Sequence, residues 1–275
     1  MISQGNTWIR GCLYVLLVTS CGLKAQSHCQ GKGSTCSKQL TLLLVGKTGS
    51  GKSASGNTIL GYSAFKERVS AEPATKRCQK RQVQDGNRNI AVIDSPGLLG
   101  TSKTQKEIKE SLKECVRLSS PGFHALLLVI NIKSGVTKEE RNAIKWIQDN
   151  FGSEGLCYTI VLFTHADSLR GKSVDDFIAG SKPLKELIHQ CSGRYHSFIN
   201  DQSSSNRIQV SELLDKVEKM ASSYFGGYYI DASFFIAQKD LEEENKKTKQ
   251  EKEEQEEREQ WRYEEERGGT RDRDL

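Results

Sequence analysis

The chain predicts an α/β fold: a mostly parallel central sheet with helices on both faces, followed by a charged C-terminal helical tail. Two observations lead there. Short apolar runs alternate with longer segments of helical period, and the first run, residues 40–45, feeds directly into Gly46-Lys47-Thr48-Gly49-Ser50-Gly51-Lys52-Ser53. That octapeptide is G-x-x-x-x-G-K-[S/T] between a buried-strand pattern and a helix, the setting in which it forms a phosphate-binding loop.

Taken in order, the strand at 40–45 gives way to the loop and then to a helix over 53–60 that ends near Gly61. A polar stretch, 63–84, precedes a short buried strand at 90–93 that ends in Asp94. Gly86-Asn87 lies between 81–85 and 88–91 and reads as a hairpin turn, so one edge strand is expected to be antiparallel. Residues 103–118 place Ile108, Leu112 and Cys115 on one helical stripe. A strand at 125–130 runs into Asn131, and a helix over 137–151 starts with Thr137 and Glu140 in capping-box spacing. Strands at 158–163 and 195–199 and helices at 174–191 and 210–225 complete the alternation, which favours parallel strands joined by crossover helices.

Size and charge set limits. With 275 residues, the chain holds one α/β domain of roughly 200 residues plus appendages. The net charge of +5 hides an asymmetry, because 15 of the 35 Asp/Glu but only 10 of the 40 Lys/Arg lie from Gln238 onward. A basic body suits phosphate-rich ligands and anionic surfaces, yet no aromatic-studded basic repeat points to nucleic acid. The division expected is a leader over 1–37, a nucleotide-binding domain over 38–237 and a tail over 238–275. That tail is rich in Glu, Lys, Gln and Arg and has no aliphatic seam for a coiled coil.

Eight cysteines, at 12, 21, 29, 36, 78, 115, 157 and 191, include no C-x-x-C pair, so a zinc site is not expected. Cys78, Cys115, Cys157 and Cys191 read as reduced thiols of a cytoplasmic protein. The leader is signal-like, with an apolar run after Arg10 and small residues near Ala25, but a triphosphate site argues against secretion. A cytoplasmic domain with an added leader is the reading taken. Membrane association through that run, with Cys12 or Cys21 acylated, is one use for it, and a disordered or packed extension is another.

The chemistry follows from the loop. Its backbone N–H groups face one anionic centre at the positive end of the following helix, so a nucleoside triphosphate is the expected ligand. Lys52 is expected to reach the β- and γ-phosphates, and the Ser53 hydroxyl to complete a Mg²⁺ shell. Downstream, Asp94-Ser95-Pro96-Gly97 supplies D-x-x-G at a strand end: Asp94 for the metal through water, the Gly97 N–H for the γ-phosphate. The segment after Gly97 would then respond to loss of that phosphate. A second hydroxyl for the metal is expected from Thr75, with Ser70 as the competing candidate.

The base reader is expected after the next strand, at Phe163-Thr164-His165-Ala166-Asp167. A carboxylate at Asp167 accepts both N1–H and N2–H of guanine, a donor pair that adenine lacks, and His165 is placed to stack on the purine. Leu98 stands where a water-orienting Gln would be useful, so turnover is expected to be slow and no catalytic residue is assigned.

Together these residues resemble the GTPases of immunity-associated proteins, the GIMAP or IAN family with an AIG-type G domain, over about residues 38–237. The likeness rests on Gly46 through Ser53 continued by Ala54-Ser55-Gly56-Asn57-Thr58-Ile59-Leu60-Gly61, on Asp94-Ser95-Pro96-Gly97-Leu98, on Ser120-Pro121-Gly122-Phe123-His124-Ala125, and on the Phe163–Asp167 segment. The resemblance implies a Ras-like P-loop NTPase fold, GTP/GDP and Mg²⁺ binding, slow hydrolysis, and a nucleotide-dependent homo-oligomer formed through the G-domain face. Carried over by position, Gly46 through Ala54, Thr75, Gly97, His165 and Asp167 hold the nucleotide, with Asn200 in Phe198-Ile199-Asn200 contacting guanine, while Ser53, Thr75 and Asp94 hold the metal. Two departures stand out: Ser95 replaces a common Thr, and Glu114 precedes Cys115 where relatives often carry Lys or Arg. If that basic residue assists a neighbouring protomer, hydrolysis here is weaker, and a GTP-binding module with negligible hydrolysis is the alternative.

Overall fold

The computed structural model describes residues 38–67, 75–99, 103–135, 137–200, 205–224 and 227–230, with 246, 249–251, 253–259 and 261 of the tail. Six strands form one sheet: β1 (Lys38–Gly46), β2 (Gln79–Asp85), β3 (Arg88–Asp94), β4 (Ala125–Asn131), β5 (Thr159–Thr164) and β6 (Tyr195–Phe198), in the order β2-β3-β1-β4-β5-β6. All pairs are parallel except the β2–β3 hairpin at the edge, where Asp85 sits opposite Arg88 across the Gly86-Asn87 turn. The expected antiparallel edge strand is therefore β2.

Alternation along β1 decides which helices lie where, because successive side chains leave a strand on opposite faces. Leu42 and Leu44 pack with Ile59, Leu60, Leu213 and Val217, from α1 (Lys52–Leu60) and α7 (Ser205–Ser222). Leu43 and Val45 point the other way, onto Ile108 and Leu112 of α2 (Gln105–Ser119) within a core that also takes in Ile147 and Leu187. The helical stripe expected at Ile108, Leu112 and Cys115 is the buried face of α2. Its start is fixed by a feature the sequence reading did not use, a capping box in which Thr104 accepts from the Glu107 N–H and Glu107 from the Thr104 N–H.

Two helices expected as single units are broken. The segment 137–151 divides at Asn142 into α3 (Lys138–Arg141) and α4 (Ala143–Phe151), and 174–191 divides at Gly180-Ser181 into α5 (Val174–Ala179) and α6 (Lys182–Gln190). At the second break Ser181 caps α6 by accepting from the Leu184 N–H, and Pro183 in the first turn lacks the N–H that a continuous helix would use.

The cysteine reading needs correction. Cys157 and Cys191 are free, but Cys78 and Cys115 are joined in a disulfide. Cys78 directly precedes the edge strand β2, and α2 packs beside that edge, so two residues 37 apart in sequence meet. Periodicity places Cys115 on the buried face but does not show which residue it faces. In the chain-entropy picture a loop of that length constrains the unfolded chain by about 4 kcal/mol.

The leader at 1–37 and Ser70 lie outside the described residues. In the tail, 253–259 is helical and exposed, and Arg258 pairs with Glu254 at 3.6 Å, a solvated i,i+4 contact worth a few tenths of a kcal/mol. Among the described residues no helix is long and apolar enough to cross a membrane.

Candidate nucleotide-binding site

The loop between β1 and α1 lies at the carboxyl end of the parallel strands. Its turn uses Gly51 at φ 94°, a left-handed backbone that a side chain would strain, and a Cβ there would press within 3.1–3.3 Å of Thr164 at the end of β5. Thr164 is fully buried, and its hydroxyl donates to the Ser50 carbonyl at 2.8 Å. The strand carrying the proposed base reader is thereby tied to the phosphate loop. Sequence reasoning gave Thr164 no role, although a hydroxyl closing an otherwise apolar strand is the available signal.

Lys52 is buried, its Nζ donating to the carbonyls of Lys47 at 2.8 Å and Gly46 at 3.3 Å. Burial draws its pKa down to about 8, opposed by the nearby Asp94 carboxylate. An ammonium held this far from water is poised to gain from an anion. Lys47 points elsewhere, its Nζ lying 4.0 Å from Oε1 of the buried Glu140, which caps α3. Sequence reading saw Glu140 only as a cap.

The three proposed metal residues converge. Ser53 Oγ donates to Asp94 Oδ2 at 2.7 Å, Thr75 Oγ1 donates to the same oxygen at 3.0 Å, and the two hydroxyls are 3.3 Å apart. Burial raises the Asp94 pKa, countered by the Ser53 hydrogen bond and the Lys52 charge. The second carboxylate oxygen, Oδ1, is buried with no hydrogen-bond partner. A buried orphan oxygen calls for a donor or a cation, and two hydroxyls with one carboxylate form the hard oxygen set that suits Mg²⁺ with water and phosphate filling its shell.

Gly97 lies against the loop, where a Cβ would stand 2.8 Å from the Thr48 backbone nitrogen and closer still to the Thr48 hydroxyl. The next two residues continue the approach: the Leu98 N–H donates to the Gly46 carbonyl at 3.1 Å, and Leu99 pairs with Lys47 in an isolated parallel bridge. Both leucines are buried. Gly97→Ala is expected to lower stability by about 1–3 kcal/mol through overpacking against rigid backbone. Thermal melting checks this, with Ser95→Ala as a nearby control expected to change little.

His165 takes a left-handed conformation at φ 60°, and a 3₁₀ turn (Ala166–Leu169) follows it, leaving Asp167 exposed at the rim and His165 half-buried. Asn200 arrives from the end of β6, but its amide is engaged with α1: it accepts from Thr58 Oγ1 at 3.0 Å and donates to Ser55 Oγ at 3.2 Å. Asn57, from the same stretch, accepts from the Ala64 and Phe65 N–H groups and donates to the Phe65 carbonyl, clamping the chain that leaves α1. Glu114 also has a structural partner, since its Oε2 accepts from the Cys78 N–H at 3.1 Å.

The sequence signature and this geometry meet in comparison with known proteins. The AIG1 family model matches residues 40–256. The chain belongs to the AIG1 family. Human GTPase IMAP family member 8 is 40% identical over 195 residues, which is 70% of this chain and 29% of that protein. Immune-associated nucleotide-binding protein 7 of Arabidopsis thaliana is 33% identical over 225 residues, 79% of this chain and 72% of the relative. The AIG1 chain thus spans under a third of the human protein's length. Among solved structures it is similar to Toc33 from Arabidopsis thaliana in complex with GDP and Mg²⁺, with TM-score 0.52, 21% identity, and coverage of 78% of this chain and 94% of that one. A further match, published as showing that dimerization is important for the GTPase activity of atToc33 and psToc159, has TM-score 0.54 and 21% identity and covers 70% and 87%. At this identity the likeness establishes the Ras-like P-loop fold of the AIG1 chain, as the resemblance implied.

Proposed function

We propose that this AIG1 protein is a guanine-nucleotide switch: it binds GTP and GDP with Mg²⁺, hydrolyses GTP slowly, and associates with a second copy through its nucleotide face when GTP-loaded. The observation that carries the reading is the meeting of Ser53, Thr75 and Asp94 beside the buried Lys52. Residues from three separate segments supply one oxygen-rich metal site next to one desolvated cation.

Bound Mg²⁺ would neutralise charge on the β- and γ-phosphates, held by Ser53, Thr75 and Asp94. Lys52 exchanges its carbonyl partners for phosphate oxygens, and the loop N–H groups orient the phosphates. The Gly97 N–H reports the γ-phosphate, and the leucines behind it transmit its loss into α2. Asp167 sorts guanine from adenine and His165 covers the base, while Asn200, its amide bonded to Thr58 and Ser55, braces the site through α1. Leu98 orients no water, so phosphoryl transfer relies on positioning and charge neutralisation alone.

The domain lies within 38–237; membrane association is one use for the leader, beside a disordered or packed extension, and the charged tail serves as a partner surface in the competing reading below. The Toc33 finding on dimerization supports pairing with a second copy. The competing reading is a GTP-binding interaction module with negligible hydrolysis, favoured by Glu114, whose carboxylate holds the Cys78 N–H where a basic residue would otherwise be available to a neighbour. Full-length protein sized with GDP and then with a nonhydrolysable GTP analogue is expected to shift from monomer to dimer. Single-turnover hydrolysis should then rise with protein concentration. A rate that stays flat and near the uncatalysed value assigns the protein to the module.

A further inference from the structure

We propose that Cys78 and Cys115 are a reversible redox modification site, a dithiol–disulfide pair that couples the two segments sensing the nucleotide. The inference rests on the reading that Thr75 and Asp94 grip the nucleotide's metal. Cys78 lies three residues beyond Thr75, just before β2, and Cys115 lies in α2, the next helix in the chain after the Asp94-to-Gly97 segment. Their disulfide therefore ties one sensing segment to the other.

The geometry suits a bond that forms and breaks without rebuilding the fold. The Cα atoms are 5.4 Å apart, inside the range that a disulfide spans with the backbone in place. The Glu114 carboxylate already holds the Cys78 N–H to the same helix, so the thiols stay adjacent when reduced. Cys115 is fully buried and Cys78 is 6% exposed, but Lys76 and Arg77 just before it are exposed, so a small movement of that strand uncovers the outer sulfur. Neither Cys157 nor Cys191, the other described cysteines, has a disulfide partner.

The co-reactant is a low-molecular-weight disulfide of the glutathione class. The thiolate of Cys78 attacks one of its sulfurs and expels a thiolate; Cys115 then attacks the mixed disulfide at the Cys78 sulfur and expels the second. Two electrons pass from the protein to the small disulfide, and the two protons leave with the released thiols. Reduction runs the same steps backward.

Closure matters for nucleotide release. The disulfide fixes Cys78, three residues beyond Thr75, to α2. With the chain pinned this close behind it, Thr75 has less freedom to leave the metal, so the oxidised protein retains nucleotide longer. Full-length protein equilibrated in glutathione buffers, from reducing to oxidising, would be acid-trapped and mapped for linked peptides while release of a fluorescent GDP is timed. Oxidation is expected to yield a Cys78–Cys115 linked peptide and to slow release by about tenfold, a coupling of ordinary size. Added reductant should restore the fast rate, and Cys78→Ser and Cys115→Ala should each hold it fast at every poise.

The absence of that peptide across all buffers overturns the proposal, as does an equal release rate in both states. If the protein binds no guanine nucleotide, the functional reading fails on its own, and amide hydrogen exchange then decides the pair. Slower exchange at residues 75–82 and in α2 on oxidation upholds the staple, and unchanged exchange rejects it.

Discussion

Lys52→Ala is expected to weaken GTP and GDP binding by about 100-fold, roughly 3 kcal/mol, the scale of a lost charge-assisted hydrogen bond at a desolvated site. The same substitution should leave the melting temperature of the unliganded protein unchanged or raise it. Lys52 is buried, held by loop carbonyls and the Asp94 charge, and its pKa of about 8 against the usual 10.5 records a desolvation cost that these do not offset in the folded state. A residue important only to the fold would lower both quantities, so calorimetry and thermal melting on one sample separate the roles.

The pH dependence follows with a definite sign. Below about pH 8 Lys52 is protonated in folded and unfolded chains alike, and the full cost of the buried charge is present. Between about 8 and 10.5 the unfolded chain binds the extra proton, so this group makes stability rise with pH across that window. Phosphate favours the charged form, so nucleotide binding takes up a proton there and affinity falls as pH rises, by up to about tenfold per unit. Lys52→Ala should flatten the affinity profile.

The second large effect is one of selectivity. The parent is expected to prefer GTP over ATP by about 100-fold or more, because a site built to accept two base N–H groups leaves a carboxylate unmatched when adenine enters. Asp167→Ala should bring the two affinities together by lowering that for GTP. Asp167 is exposed on the 3₁₀ turn after β5, so its removal should leave the melting temperature of the unliganded protein almost unchanged. Equal affinities in the parent would remove guanine recognition from this position.

Much of this was legible because strand, loop and helix patterns are local. Residues 46–53 between an apolar run and a helix announce the phosphate loop, and Asp94 at a strand end announces the carboxylate that Ser53 and Thr75 meet. The hairpin at Gly86-Asn87 placed the antiparallel edge. The break at Asn142 was not legible as an end, because the hydrophobic period continues on both sides; the break at Gly180 carried local signals, Ser181 as a cap and Pro183 in the next first turn, that a reading by period alone passed over. Thr104 and Glu107 stand in capping-box spacing, yet the reading used only the apolar stripe of α2 and so passed over its start.

The sequence by itself determined the alternation, the phosphate loop and the family, since each depends on residues near one another along the chain. Tertiary structure alone decided that Thr164 braces the loop and that the Asn200 amide engages α1, and it brought Thr75, the expected residue, against Ser53 and Asp94. It also turned four expected free thiols into one disulfide and two free cysteines. The physical reason is common to all of them: hydrogen bonds and sulfur bridges act over a few ångströms, and their partners lie up to 145 residues apart in the chain, a distance at which local pattern carries no record of who is adjacent.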